Sequence, residues 1–252
     1  MPPTFRTAAA ICALAAGLAA APPASAQEAA PLDPAEKAAI EEVVRDYLVE
    51  NPEVIMEALT VLQGRQEQAA RDRQAQELAA LEDEIFDNPA SPVIGNEQGD
   101  VTLVEFFDYQ CGYCKSMLEP LGDLIAGDGD LRVVMKEFPV LGPASIVAAR
   151  ASLAAEEQGL YAEFHNGLMA RRGRLDEAAI FAVAEDVGLD VERLKQDMES
   201  DAVADEIAAN LRLAQRLGIN GTPTFIVGEE IVPGAVDIRM LEDLIARQRA
   251  EG

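Results

Sequence analysis

The chain of 252 residues has no tryptophan, one histidine, three cysteines and only 5% aromatic residues. Its core must therefore be built mostly from aliphatic side chains and alanine, and the hydrophobic fraction of 49% is sufficient for a sizeable core. Basic residues are also scarce, because 20 Lys and Arg stand against 45 Asp and Glu and give a net charge of −25. Nucleic acids and anionic membranes repel such a surface, so we expect no nucleic-acid partner.

The N-terminus has the composition of a secretory signal peptide over residues 1–26. Arg6 provides a positive start, residues 7–21 are apolar, and Ala24-Ser25-Ala26 is a small-residue cleavage site. The apolar stretch is shorter than the roughly 20 residues that a membrane-spanning helix requires, which disfavours a membrane anchor. We therefore expect an exported protein that resides in the periplasm.

Cleavage of this signal would remove Cys12 and leave two cysteines, Cys111 and Cys114. Disulfides persist in an oxidising compartment, but a disulfide across such a short loop would constrain the unfolded chain only weakly. A structural zinc site needs about four ligands, and the single histidine, His165, is far away in the sequence. The cysteine pair is therefore predicted to be chemical rather than structural, and His165 to lie on a helix surface or pack between helices.

Residues 27–90 are predicted to form an N-terminal helical segment. Capping signals begin one helix at Asp33 and a second at Asn51. Apolar residues recur at helical spacing within residues 33–62, and two short helices cannot bury both of their apolar faces alone. We expect residues 33–62 to form a homo-oligomer and residues 63–77 to be a polar helical stalk. The alternative is that the helices pack back on the main domain.

The main domain is predicted to occupy residues 91–252, with an α/β fold. A strand at Val101–Phe107, a helix at 112–126 and a strand at 131–138 form a right-handed β-α-β unit. Pro120 inside the helix predicts a kink. Further helices are expected at 143–158, 160–171, 176–187 and 190–217, followed by a hairpin of strands at 224–227 and 231–232 and a helix at 237–249. This order is that of a thioredoxin-like sheet with an all-helical subdomain inserted at about 143–218.

The sequence Cys111-Gly112-Tyr113-Cys114 follows a strand and begins a helix. Unpaired helix amides and the helix dipole favour a thiolate at Cys111, which is therefore the predicted nucleophile. Cys114 lies one turn later and can resolve the mixed disulfide. Gly221-Thr222-Pro223 immediately precedes a strand, where a cis Thr222–Pro223 bond would accommodate the proline.

Three stretches look like the bacterial disulfide-bond protein A (DsbA) family, namely residues 104–115, 135–145 and 221–228. Residues 46–59 resemble its suppressor-of-copper-sensitivity C (ScsC) branch. The resemblance implies a thioredoxin fold with an inserted helical domain and a cis Thr222–Pro223 pair facing Cys111. It also implies that an extended protein substrate pairs with Gly221, Thr222 and Pro223 by strand addition.

The family resemblance also assigns Glu105 as a buried acid that moves protons for Cys114; the alternative is a surface strand residue. Its apolar neighbours favour burial, and a buried carboxylate has a raised pKa and can act as an acid or base. Lys136 on the adjacent strand is the expected partner of Glu105. The alternative for Lys136 is that its charged end extends to solvent.

The dipeptide Gly112-Tyr113 lacks the histidine of strongly oxidising DsbA proteins, so we expect a milder oxidant. Together with Thr222 before the proline, it resembles the pattern of the periplasmic disulfide isomerase DsbC. The first hypothesis is an isomerase or reductase that uses only its redox-active disulfide, without another cofactor, and is kept reduced by a membrane partner of DsbD type. The alternatives are a dithiol oxidase with a DsbB-type partner, and a Cu(I)-binding protein that uses Cys111 and Cys114.

Overall fold

The computed structural model describes residues 33–251, so the predicted signal peptide at 1–26 lies outside the described residues. The chain divides into two compact units at the bond between Leu62 and Gln63. Between residues 33 and 251, no helix combines the length and apolar character needed to cross a membrane.

The N-terminal unit contains α1 (Pro34–Glu50) and the start of α2 (Glu53–Ala80). The predicted cap of α1 is confirmed, because the Asp33 carboxylate accepts hydrogen bonds from the backbone N–H groups of Ala35 and Glu36, both at 2.8 Å. No residue of α1 is buried. Large apolar side chains that are 46 to 72% exposed lie in this unit: Ile40, Val43, Val44, Tyr47, Val49, Ile55, Met56, Leu59, Val61 and Leu62.

The second unit contains the short helix α3 (Glu82–Phe86) and a five-stranded sheet. The strands are β1 (Val93–Gly95), β2 (Val101–Phe107), β3 (Leu131–Glu137), β4 (Thr224–Val227) and β5 (Glu230–Pro233), in the order β1-β3-β2-β4-β5. β2 and β3 are parallel and are joined by α4 (Gly112–Gly127), which confirms the predicted β-α-β unit; the other strand pairs are antiparallel. Three residues are too few for a recognisable strand pattern, which is why β1 was not predicted.

The region between β3 and β4 is entirely helical, as predicted for the inserted subdomain. It contains α5 (Pro143–Glu156), α6 (Tyr161–Ala170), α7 (Glu177–Asp186), α8 (Val191–Asp197) and α9 (Asp201–Arg216), and α10 (Ile238–Glu251) follows the hairpin. The prediction of one helix over 190–217 is wrong, because α8 ends before Ser200 begins α9. The Ser200 hydroxyl accepts a hydrogen bond from Val203 N at 3.4 Å, as an N-cap does. Pro120 lies inside α4, and a kink there stays a prediction.

Alternate residues of the central strands face two different cores. Leu103 and Phe107 pack with side chains of α4, α10 and the inserted helices. Val104 and Phe106 pack on the other face of the sheet, with Leu213 of α9 and with Leu78, Leu81 and Ile85. The packing of the second unit therefore begins before residue 91, the predicted start of the main domain, because this sheet face requires an apolar cover.

Candidate active site

Cys111 lies at the junction of β2 and α4, and its side chain caps the helix. Its Sγ accepts from the N–H of Cys114 at 3.5 Å, and its thiol donates to the carbonyl oxygen of Thr222 at 3.2 Å. Cys111 and Cys114 are free thiols and both are buried. Burial, reinforced by the nearby Glu105, raises the pKa of the Cys114 thiol well above its ordinary value. Cys114 therefore needs a proton acceptor before it can act as a nucleophile.

The loop opposite the cysteines contains the predicted cis Thr222–Pro223 bond. Thr224 Oγ1 donates to Gly221 O at 2.8 Å, and Gly234 N donates to Pro223 O at 2.7 Å. Pro223 is buried, Thr222 is half-buried and Gly221 is exposed. A substrate can thus reach the backbone of Gly221 and Thr222 beside the Cys111 sulfur, while their role in substrate binding stays a prediction.

Asp108 fixes the loop that precedes Cys111, and the sequence analysis did not identify it. The side chain is buried, and its carboxylate accepts four hydrogen bonds between 2.7 and 3.0 Å. The donors are the backbone N–H groups of Gln110, Val140 and Leu141 and the hydroxyl of Ser145. Asp108 therefore holds the active-site loop against the segment that leads into α5.

Glu105 is buried on β2, as predicted, and lines the same cavity as Cys114. Burial raises its pKa to about 8. Within residues 33–251, no side chain donates a hydrogen bond to its carboxyl group. Such a carboxyl group can take up or release a proton near neutral pH, and its action on Cys114 stays a prediction.

The structure contradicts the pairing of Lys136 with Glu105. The parallel register places Glu105 beside Met135 and Lys136 beside Phe106, so the two charged side chains lie on opposite faces of the sheet. Lys136 Nζ instead donates to Glu84 O at 2.8 Å and to Ser91 Oγ at 2.7 Å. Lys136 is fully buried, so the alternative of a solvent-exposed charge is also wrong. Burial lowers its pKa to about 8.

A second polar cluster lies on the Glu105 side of the sheet. Oε1 of Glu137 accepts hydrogen bonds from the hydroxyl groups of Tyr109 at 2.9 Å and Tyr161 at 3.2 Å. The Tyr109 oxygen is also 3.1 Å from Nδ1 of His165. Burial raises the pKa of Glu137 well above its usual range and lowers that of His165 to about 3. The packing alternative for His165 is therefore confirmed.

The sequence signals for this cluster are weak. Its contacts join residues 24 to 56 positions apart, which no local pattern records. The one usable signal is that Glu105 and Glu137 lie on the same face of two neighbouring strands. Tyr113 in the dipeptide is 72% exposed and carries no charge beside the cysteines.

In the described part of the chain, no three His, Cys, Asp or Glu side chains are grouped to hold a metal ion.

A sheet of this order, with a dithiol at the start of the helix after β2 and a cis proline facing it, defines the class of thioredoxin-fold dithiol proteins. The model of the DSBA-like thioredoxin domain matches residues 102–246, and that of the copper resistance protein ScsC N-terminal domain matches residues 36–69. The chain belongs to the DsbA-like thioredoxin family, and its N-terminal segment is of the ScsC type.

Solved structures with the same fold agree with this assignment. A thioredoxin-like oxidoreductase from Silicibacter pomeroyi DSS-3 is 46% identical, with a TM-score of 0.65 over 67% of this chain and 97% of that one. A linker-deletion mutant of Proteus mirabilis ScsC is 31% identical, with a TM-score of 0.68 over 89% of this chain and 100% of that one. The thiol-disulfide exchange protein alpha-DsbA2 from Wolbachia pipientis is 28% identical, with a TM-score of 0.67 over 71% and 97%.

Curated relatives include the Na(+)/H(+) antiporter NhaA of Herminiimonas arsenicoxydans, which is 34% identical over 170 residues. That match covers 66% of this chain and 27% of the antiporter. The chain thus spans about a quarter of the length of such relatives.

Proposed function

We propose that the protein is an exported periplasmic thiol–disulfide oxidoreductase that acts on protein substrates, chiefly as a disulfide isomerase or reductase. The observation that carries this proposal is the position of the Cys111 thiol. It lies at the start of α4 and is 3.2 Å from the Thr222 carbonyl of the cis-proline loop. The proposal is supported because an extended peptide bound to the accessible backbone of this loop would lie beside the Cys111 sulfur.

The reaction requires only the two cysteines and the substrate. The Cys111 thiolate attacks a substrate disulfide, forms a mixed disulfide and releases one substrate thiolate, which takes a proton from solvent. Cys114 then attacks the Cys111 sulfur and the substrate leaves as a second thiolate. Alternatively, a second substrate thiolate attacks the substrate sulfur of the mixed disulfide, which forms a rearranged substrate disulfide and releases the Cys111 thiolate. In the first case the substrate gains two electrons and the Cys111–Cys114 disulfide forms. In the second case there is no net redox change.

The mixed disulfide also changes the hydrogen bonding at Thr222. In the free protein its carbonyl oxygen accepts from the Cys111 thiol. Once the Cys111 sulfur carries a substrate instead of a proton, this donor is lost. The Thr222 carbonyl can then accept a hydrogen bond from a substrate main-chain N–H, so substrate capture and strand addition occur together.

The direction of the reaction follows from the residues around the sulfur. Gly112 and Tyr113 provide no cation to stabilise the Cys111 thiolate, which disfavours a strongly oxidising disulfide. We therefore propose a DsbD-type membrane partner that keeps the dithiol reduced. A DsbB-type partner belongs to the oxidase alternative.

The isomerase role is tested by reactivation of a scrambled ribonuclease and by acid-trapping and alkylation of cellular thiols. We expect the intact protein to reactivate the ribonuclease, and we expect Cys111 and Cys114 to be reduced in the periplasm. A protein that is oxidised in the cell and fails to reactivate the scrambled substrate is an oxidase instead.

Copper binding is a second candidate because the matching N-terminal model describes a copper resistance protein. Two soft thiolates at Cys111 and Cys114 suit Cu(I). Anaerobic Cu(I) titration of the reduced full chain, beside the Cys111→Ser variant, tests this role. Cu(I) binding without any activity on scrambled disulfides would favour copper binding over the enzyme.

A further inference from the structure

A cavity of about 290 Å³ lies behind Cys114, between α4 and α6. Most of its lining is apolar, but Glu105, Cys114, His165 and Asn166 contribute polar groups to it. Asn166, like Gly122 and Ala126 at the opposite wall, is exposed at the protein surface, so the cavity reaches solvent. One water molecule occupies about 30 Å³ in the liquid and needs two to four polar partners. The cavity therefore has both the room and the polar groups to hold water.

The hydrogen bonds on the far side of His165 determine which of its ring nitrogens carries the proton. Tyr109 has one hydroxyl proton, and it donates that proton to Glu137 at 2.9 Å. With the Tyr109 proton assigned to this contact, the Tyr109 oxygen accepts a hydrogen bond from His165, and the tautomer that fits this assignment carries its proton on Nδ1. In the neutral imidazole this leaves Nε2 as a hydrogen-bond acceptor.

We propose that His165 is a positioning residue for proton transfer at Cys114. Its Nε2 accepts a hydrogen bond from water in the cavity, and this water links the carboxyl group of Glu105 to solvent. Tyr109, Glu137 and Tyr161 hold the ring in the required tautomer. The inference rests on the dithiol chemistry proposed above, but not on whether the protein works as an isomerase or an oxidase.

The step balances as follows when Cys114 resolves a mixed disulfide. The Glu105 carboxylate takes the proton of the Cys114 thiol through water in the cavity that both residues line, and the resulting thiolate attacks the Cys111 sulfur. The Cys111–Cys114 bond forms and the bond from Cys111 to the substrate sulfur breaks. The substrate leaves as a thiolate and is protonated by solvent. The Glu105 proton passes to solvent through the ordered water, which restores the carboxylate.

The charged and titratable groups around His165 are consistent with a neutral ring. Tyr109 follows β2, Glu137 lies on β3 and Tyr161 belongs to the same helix, α6. Glu105 of β2 and Cys114 of α4 line the cavity with it. Burial lowers the pKa of His165 to about 3, so the ring stays uncharged over the working range of a thiol enzyme.

The test is a single-turnover reaction of the reduced full chain with a chromogenic aromatic disulfide. Attack by Cys111 releases one coloured thiolate in a concentration-dependent phase, and resolution by Cys114 releases the second in a concentration-independent phase. We expect His165→Leu to slow only the second phase, by about tenfold at neutral pH, and to move its pH midpoint upward. His165→Gln retains an acceptor near the Nε2 position, and we expect it to restore most of the rate.

Leu168→Met is the matched control, because Leu168 is buried on the same helix and does not line the cavity. It should leave both phases unchanged. If His165→Leu does not fold, Tyr109→Phe takes its place, since it removes the hydroxyl that fixes the tautomer and should also slow the second phase. A normal second phase in the folded variant, or a loss that His165→Gln does not restore, would overturn the proposal. Absence of the first phase in the wild-type protein would instead contradict the dithiol chemistry.

Discussion

At the scale of single residues, the buried carboxyl group of Glu105 makes the stability of the fold depend on pH. Its pKa is raised from 4.5 to about 8 by burial, so the folded protein holds this proton more tightly than the unfolded chain does. The contribution of Glu105 to stability is therefore greatest below pH 4.5 and is lost as the pH rises toward 8. A group that destabilises the fold at its working pH is typical of an active site.

We expect Glu105→Gln to remove this pH dependence. Between the two pKa values, each pH unit changes the free energy of unfolding by about 1.4 kcal/mol, so the variant should gain stability relative to the wild type as the pH rises. Denaturant unfolding of both proteins at several pH values measures the difference. A difference that does not change with pH would contradict the raised pKa.

The same scale shows which site residues a sequence can reveal. Cys111, Cys114 and Thr222-Pro223 were identified because each belongs to a local motif whose chemistry depends on neighbours in the chain. Glu105 was placed correctly by the apolar residues on both sides of it. Asp108 was missed because three of its four hydrogen bonds reach residues 32 to 37 positions away, which no local pattern records.

At the scale of elements, Lys136 belongs to the attachment of α3 rather than to the dithiol. Nζ binds Glu84 O and Ser91 Oγ, and the Ser91 hydroxyl in turn donates to Glu206 Oε1 at 2.6 Å. The sequence-based pairing with Glu105 was wrong because it identified the adjacent strand but not the register. A shift of one residue moves a side chain to the other face of a sheet.

We expect Lys136→Met to lower the free energy of unfolding by about 3 kcal/mol, because it leaves the partners of a buried cation unpaired. The rate at which Cys111 reacts with a disulfide should be unchanged. Denaturant unfolding and the single-turnover assay measure the two effects on the same preparation. A variant of normal stability that reacts much more slowly would show that Lys136 takes part in the reaction of Cys111.

The predicted oligomerisation would use the exposed apolar side chains of α1 and of the start of α2. The helices themselves were predictable from their caps and periodicity. The sequence of one chain could not predict which surface covers their apolar faces. We expect Val44→Glu combined with Tyr47→Glu to convert the full chain to a monomer, as measured by light scattering. The two glutamates would disfavour assembly because they would place charged groups in an apolar interface, away from water.

This double variant should also lose reactivation of scrambled ribonuclease while it still reduces a single accessible disulfide, because clustering of active sites raises their effective concentration. The control is Ala38→Glu, which introduces a charge at an exposed position away from the apolar residues at 40, 43, 44 and 47. Full isomerase activity in a proven monomer would show that the helices serve another purpose.

At the scale of the whole molecule, the predicted assembly would bring together chains whose full sequence has a net charge of −25. Their mutual repulsion extends over about 30 Å at 0.01 M salt and about 8 Å at 0.15 M salt. We therefore expect the oligomer to dissociate at low ionic strength and to be favoured by added salt, as measured by sedimentation at fixed protein concentration. Dissociation on adding salt would indicate an interface of ion pairs rather than of apolar side chains.

The molecule as a whole was largely predictable in its topology, because strand and helix patterns, the β-α-β rule and the motif positions agree with one another. The predictions that were wrong concern features that depend on the length of an element or on how side chains pack. β1 is too short to have a pattern, and the end of α8 depends on the single cap at Ser200. Leu78, Leu81 and Ile85 were assigned to the N-terminal segment at 27–90, whereas they cover one face of the sheet.

The central claim is that Cys111 is the nucleophile and Cys114 the resolving thiol of a thiol–disulfide oxidoreductase. The most direct measurement is turnover of a disulfide substrate by the full chain carrying Cys111→Ala or Cys114→Ala, with covalent adducts detected by mass spectrometry. We predict that Cys111→Ala abolishes turnover and forms no adduct, and that Cys114→Ala accumulates a mixed disulfide with the substrate at Cys111. Turnover that survives in Cys111→Ala would contradict the account.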